Sequence, residues 1–174
     1  SISYLKKDFN IISQNTHLVI TSVFIGIAIG QLVFGPVSDR IGRKKTAIIG
    51  LIIFSVGCLL SIISKDYVLF LITRFLQGLG SGAAVAVSRA LARDFYEGRK
   101  LAQIMSLVTT IFILVPVFAP SIGQIIISIS HWKIIFLFML VLSIMLKLFI
   151  LFKYLETKNL MNDLSFNSTL KGLL

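Results

Sequence analysis

Five long apolar runs leave this chain few folds to choose from. They cover His17–Val37, Thr46–Ile63, Tyr67–Arg93, Leu101–Ile129 and Ile134–Phe152. As helices rising about 1.5 Å per residue, they are long enough to cross a hydrocarbon core of roughly 30 Å. Within Tyr67–Arg93, Arg74 and Arg89 are the internal charges. The connections Ser38–Lys45, Ser64–Asp66, Asp94–Lys100 and Ser130–Lys133 are short, so successive helices must be antiparallel neighbours. Backbone groups in lipid have no water to bond, which confines spanning segments to helices or closed barrels. The expected fold class is therefore all-α: a polytopic membrane helix bundle of about five transmembrane helices. Composition agrees. At 56% hydrophobic residues and a mean hydropathy of +0.95, the chain lacks the polar surface of a soluble domain.

The net charge of +10 would suggest nucleic acid in a soluble protein. Here the cations sit at the ends of apolar runs, where lipid headgroups and topology account for them. No nucleic-acid partner is expected; the lipid bilayer is. The 14 phenylalanines lie mostly inside the runs and read as packing or lipid-facing surface. One side carries Arg40, Arg43, Lys44, Lys45, Arg93, Arg99, Lys100, Lys153 and Lys158, the other Lys6, Lys7, Lys65 and Lys133. The richer side is expected to be cytoplasmic. That places residues 1–16 outside and a C-terminal linker, residues 154–174, in the cytoplasm. Lys147, close to the inner end of the last run, can snorkel to the interface. The N-terminal stretch does not read as a signal peptide. Cys58 is the single cysteine and reads as a small core hydrophobe. No metal-ligand spacing, phosphate loop or catalytic constellation appears, so neither an enzyme nor a bound cofactor is expected.

Four segments carry more information. In Gly35-Pro36-Val37-Ser38-Asp39-Arg40-Ile41-Gly42-Arg43-Lys44-Lys45, Gly35 and Gly42 permit close approach and a tight turn. Pro36 offers a place to bend. Asp39 can pair with nearby cations, while Arg40, Arg43 and Lys44 anchor the segment at headgroups. In the third run, Gly78, Gly82, Ala86 and Ala90 form one small-residue stripe, and Gly80, Ala84, Ser88 and Ala92 an adjacent one. Such stripes let helices approach closely in lipid, as do Gly26 and Gly30. Arg74 lies about two turns inside its run, roughly 10 Å deep. An Arg there costs about 2.5 kcal/mol or more unless it snorkels or finds a partner. Gln77, one turn on, can share a cavity with it. Every Asp and Glu falls in a connection or at a helix end, so a mid-membrane proton carrier is not visible in this chain. Arg89, Arg93, Asp94 and Glu97 gather near the level of Asp39, and an inner charge network that changes between access states is expected there. In the fourth run, Pro116, Pro120 and Gly123 imply kinking. His17 and His131 read as interfacial.

The basic segment resembles the cytoplasmic motif between the second and third helices of the major facilitator superfamily. Arg74-Phe75-Leu76-Gln77-Gly78-Leu79-Gly80-Ser81-Gly82 resembles that superfamily's fourth-helix motif. Ser88-Arg89-Ala90-Leu91-Ala92-Arg93-Asp94, Ala119-Pro120-Ser121-Ile122-Gly123 and His131-Trp132-Lys133-Ile134-Ile135-Phe136 are similar to its bicyclomycin-resistance (Bcr/CflA) branch of drug:proton antiporters. Ala119 and Gln124 depart from the branch's antiporter motif. The resemblance covers roughly residues 4–155 and implies a twelve-helix transporter in two six-helix halves. The five runs correspond to its helices two to six, within a partial N-terminal half over residues 1–153. It implies proton-driven efflux of drugs or other small molecules by alternating access across a bacterial-type inner membrane. Arg74 and Gln77 become candidates for proton and substrate coupling, the proton gradient the energy source, and a missing second half a partner. It leaves open a nutrient or metabolite as cargo, and a remnant or interaction partner that transports nothing.

Overall fold

The computed structural model describes residues 16–129 and 133–153. The proposed linker, residues 154–174, and His131 lie outside them. The described residues form helices α1 (Thr16–Ile41), α2 (Arg43–Ile63), α3 (Tyr67–Phe95), α4 (Gly98–Ile129) and α5 (Lys133–Lys153). All are long and apolar enough to cross a membrane, and no strand occurs among the described residues.

Small polar side chains share the interior with apolar ones, while many large apolar side chains face outward. The buried side chains include Ser38, Thr46, Ser55, Ser61, Thr73, Gln77 and Ser143, beside Cys58, Phe70, Ala83 and Phe136. Exposed side chains include Leu32, Phe24, Ile113, Phe118, Phe138 and Phe152. In lipid a leucine gains nothing from leaving the surface, so close packing and interhelical hydrogen bonds hold the bundle instead. α3 is the central helix: it packs most extensively on α1, then on α2, while α5 packs on α2. α4 touches α3 and α5 only lightly.

The glycine stripes divide between two neighbours. Gly78 and Gly82 face Gly26 and Gly30 of α1, and a Cβ on Gly82 would stand 2.5 Å from the Ile27 carbonyl oxygen. Gly80 faces α2, where a Cβ would meet the Gly50 carbonyl oxygen at 2.5 Å and the Phe54 nitrogen at 2.6 Å. Hydroxyls complete the contacts. Ser22 donates to the Leu71 carbonyl at 2.7 Å, linking α1 and α3. Ser61 and Thr73 share a 2.7 Å hydrogen bond between α2 and α3. Ser55 and Ser143 do the same at 2.9 Å between α2 and α5.

Two sequence expectations need correction. The stretch Ser38–Lys45 is not a loop: α1 stays helical through Ile41 and α2 begins at Arg43. Gly42 alone makes the turn, with φ 101° and ψ 152°, a region in effect reserved for glycine. The Ser38 hydroxyl bonds back to the Gly35 carbonyl at 2.7 Å, compatible with a continued helix. Likewise the stretch Asp94–Lys100 is mostly helical, because α3 runs to Phe95 and α4 starts at Gly98.

Candidate functional site

Two polar centres occupy opposite ends of α3. The first forms where the Gly42 turn meets the C-terminal end of α3. Because Gly42 turns the chain in one residue, Asp39 and Arg43 stand on either side of the break, close enough to pair. Arg43 also reaches across to α3. Its Nε donates to Asp94 Oδ2 at 2.8 Å, Nη2 to Asp94 Oδ1 at 3.3 Å, and Nη1 to the Ser38 hydroxyl at 2.6 Å. The guanidinium fork matches the carboxylate, the strongest common geometry for such pairs. Arg43 and Asp94 keep only 14% and 18% of their side-chain surface, whereas Asp39 keeps 64%. The centre is thus a bridge in which Arg43 ties the α1 end, the turn and α3 together. Beside it, Lys44 donates to the Leu151 carbonyl of α5 at 3.2 Å.

Of the expected inner network, Asp94 joins this bridge. Arg89 instead donates to the Gln31 side chain on α1, a long contact of 3.4 Å, and Arg93 is exposed. Arg40 is exposed in the last turn of α1, where its charge suits the helix dipole. Gly35 does not serve close approach: a Cβ there would meet nothing within 4 Å. Gly123, on lightly packed α4, has the same open surroundings, so it makes no tight helix contact among the described residues. Residues 116 and 120 lie within α4.

The second centre surrounds Arg74, toward the Asp66 end of α3. Asp66 caps that helix by accepting from the Leu69 N–H at 3.4 Å. The Arg74 guanidinium carbon lies 4.2 Å from the Phe136 ring centroid and 5.0 Å from that of Phe70. The two rings meet edge to face, 6.0 Å apart at 76°. Arg74 Nη1 donates to Gln77 Oε1 at 2.9 Å. Gln77, 3% exposed, donates in turn to Ser61 at 2.9 Å. Gly57 makes room for it, since a Cβ there would lie 2.8 Å from Gln77 Cγ. Arg74 Nε is buried with no hydrogen-bond partner among the described residues. No carboxylate lies within ion-pair reach of Arg74 among the described residues. Aromatic faces and an amide thus stabilise the cation.

Sequence reasoning singled out Arg74 and Gln77 but missed Phe70, Phe136, Ser61 and Thr73. Phe70 stands four residues before Arg74, so helical spacing could have found it. Phe136 comes from a distant helix; it closes the family-like segment His131–Phe136, but nothing there pointed to Arg74. At the first centre, the sequence pointed to pairing of Asp39 with nearby cations, while the link of Arg43 to Asp94 had no local mark.

The sequence matches the Major Facilitator Superfamily over residues 1–172. The chain belongs to the Major Facilitator Superfamily. Among the superfamily members it resembles is the "Uncharacterized MFS-type transporter YdgK" of Bacillus subtilis. The two are 33% identical over 159 residues, which is 90% of this chain and 40% of that protein. The "Multidrug resistance protein MdtL" of Citrobacter koseri is 34% identical over 154 residues, 88% of this chain and 40% of the relative. The protein of the same name in Salmonella typhi is 35% identical over 154 residues, 88% of this chain and 39% of the relative. This superfamily chain therefore spans about 40% of the length of these curated relatives.

Proposed function

We propose that this chain is part of a transporter that exports drugs or other small molecules by alternating access, driven by the proton gradient. The observation that carries the reading is the Arg74 centre: a cation held between Phe70 and Phe136, bonded to Gln77, with Nε unsatisfied. A guanidinium does not give up its proton at ordinary pH, so Arg74 acts electrostatically. It lowers the proton affinity of a carboxylate brought near, or holds an anionic group, and so ties protonation to cargo. That carboxylate comes from outside the described residues. The Arg43 bridge serves as the latch of one access state. The relatives named as multidrug resistance proteins support export as the direction. The sequence motifs support the bicyclomycin-resistance branch.

We place the Gly42 end in the cytoplasm, because Arg40, Arg43, Lys44, Lys45, Arg93, Arg99 and Lys100 gather there against Lys65 and Lys133 at the other end. The membrane is then a bacterial-type inner membrane and the C-terminus cytoplasmic. The other half of the transporter is the expected partner, with cargo between the two. Everted vesicles test the proposal. This chain, co-expressed with the C-terminal half of a relative, should accumulate a cationic dye and lose it on adding an uncoupler. The chain alone should not. Dye movement that ignores the uncoupler would rule out proton drive, and its absence in the combined protein would rule out export.

A further inference from the structure

Near the Gly42 end, α2, α3 and α5 leave a cleft of about 240 Å³ between them. Ala47 and Leu51 of α2, Ala84 and Ser88 of α3, and Leu146 and Ile150 of α5 line it. Arg43 is its charged lining residue. The cleft exists because Ala47, Ala84 and Ser88 are small where larger side chains would fill the space. Ser88 adds little polarity, since its hydroxyl is spent on the Val85 carbonyl at 2.9 Å. Ala84, Ser88 and Leu146 are exposed, so the cleft opens on the outside of the bundle. Arg43 apart, its lining is almost wholly apolar, which suits a hydrocarbon chain.

Charge decides what kind of amphiphile suits it. The Arg43 charge is already met by Asp39 and Asp94. Among the described residues, neighbouring Lys44 meets the carbonyl of Leu151, which adjoins Ile150 of the cleft. Lys44 forms no ion pair among the described residues. Lys45 and Lys147 add positive charge on the same two helices. We infer that the cleft is a binding site for one anionic phospholipid, with an acyl chain between α2, α3 and α5 and the phosphate against Lys44. This goes beyond the transport reading and does not depend on it. Because Arg43 both lines the cleft and holds the ion bridge, occupancy would bear directly on that bridge.

The test uses the purified chain in detergent with a photoactivatable phosphatidylglycerol bearing a diazirine midway along one acyl chain. A matched phosphatidylcholine serves as control. Crosslinks mapped by mass spectrometry should concentrate at Ala47, Ala84, Ser88 and Leu146, about fivefold more for the anionic lipid. Lys44→Gln should abolish that preference. Ala84→Leu with Ser88→Leu should remove crosslinks at the cleft for both lipids while those at Ile111 on α4 persist. Even labelling of all helices, equal labelling by both lipids, or an unchanged preference in Lys44→Gln would overturn the inference. Displacement of the lipid by a tetraphenylphosphonium photoprobe would assign the cleft to cargo and overturn it equally.

Discussion

Arg43 and Asp94 should be strongly coupled, and Arg43 and Asp39 weakly. The two pairs share one guanidinium, so only their surroundings differ. Asp94 meets Arg43 through two hydrogen bonds of 2.8 and 3.3 Å with both partners largely out of solvent. Asp39 is 64% exposed and its pairing is screened. Exposed pairs are worth about 0.2–1 kcal/mol. Removing one partner of a buried pair costs about 3–5 kcal/mol, much of it from the charge left behind. Arg43–Asp94 lies between these limits. A coupling of about 2 kcal/mol is expected, roughly 30-fold in an equilibrium constant. For Arg43–Asp39 it should stay below about 1 kcal/mol. Double-mutant cycles with Arg43→Gln, Asp94→Asn and Asp39→Asn would measure both, using equilibrium unfolding in mixed micelles followed by circular dichroism. Additivity of Arg43→Gln and Asp94→Asn within about 0.3 kcal/mol would refute the bridge. So would a larger coupling to Asp39 than to Asp94.

Gly42→Ala should destabilise the α1–α2 turn by about 1–3 kcal/mol, since φ 101° and ψ 152° disfavour any Cβ; equal unfolding midpoints would contradict this. Gly82→Val should separate α1 from α3, its added carbons driven into the Ile27 carbonyl, and should greatly slow folding into a trypsin-resistant form. Gly123→Ala, with nothing within 4 Å, should be neutral or gain up to about 1 kcal/mol from helix propensity. If Gly82→Val and Gly123→Ala behave alike, the assignment of the stripes is wrong.

The helices were legible because a lipid-spanning helix needs a long apolar run and little else. Their ends were less so. Asp39 and Arg40 looked like loop residues because they are charged, yet a helix can carry charges once it has left the hydrocarbon. Only Gly42 had to break it. The small-residue spacing of α3 announced close packing, but not that Gly78 and Gly82 serve α1 while Gly80 serves α2. That division depends on which neighbour lies on which side. Arg74 was conspicuous as a charge within an apolar run. Phe136, 62 positions away in the sequence, was visible only as the end of the segment His131–Phe136, and nothing local linked it to Arg74. The Asp94 link to Arg43 escaped because the two lie 51 positions apart and only the packing of α3 against the Gly42 turn brings them together.

On the proposed function, the Arg74 cation couples proton movement to cargo. The most direct measurement is substrate-induced proton movement in everted vesicles, read with a pH-sensitive dye. This chain, combined with the second half of a relative, should give a signal on adding cargo. Arg74→Gln should abolish the signal while the protein remains folded and membrane-inserted, and Arg74→Lys should restore part of it. An undiminished signal in Arg74→Gln would contradict the account.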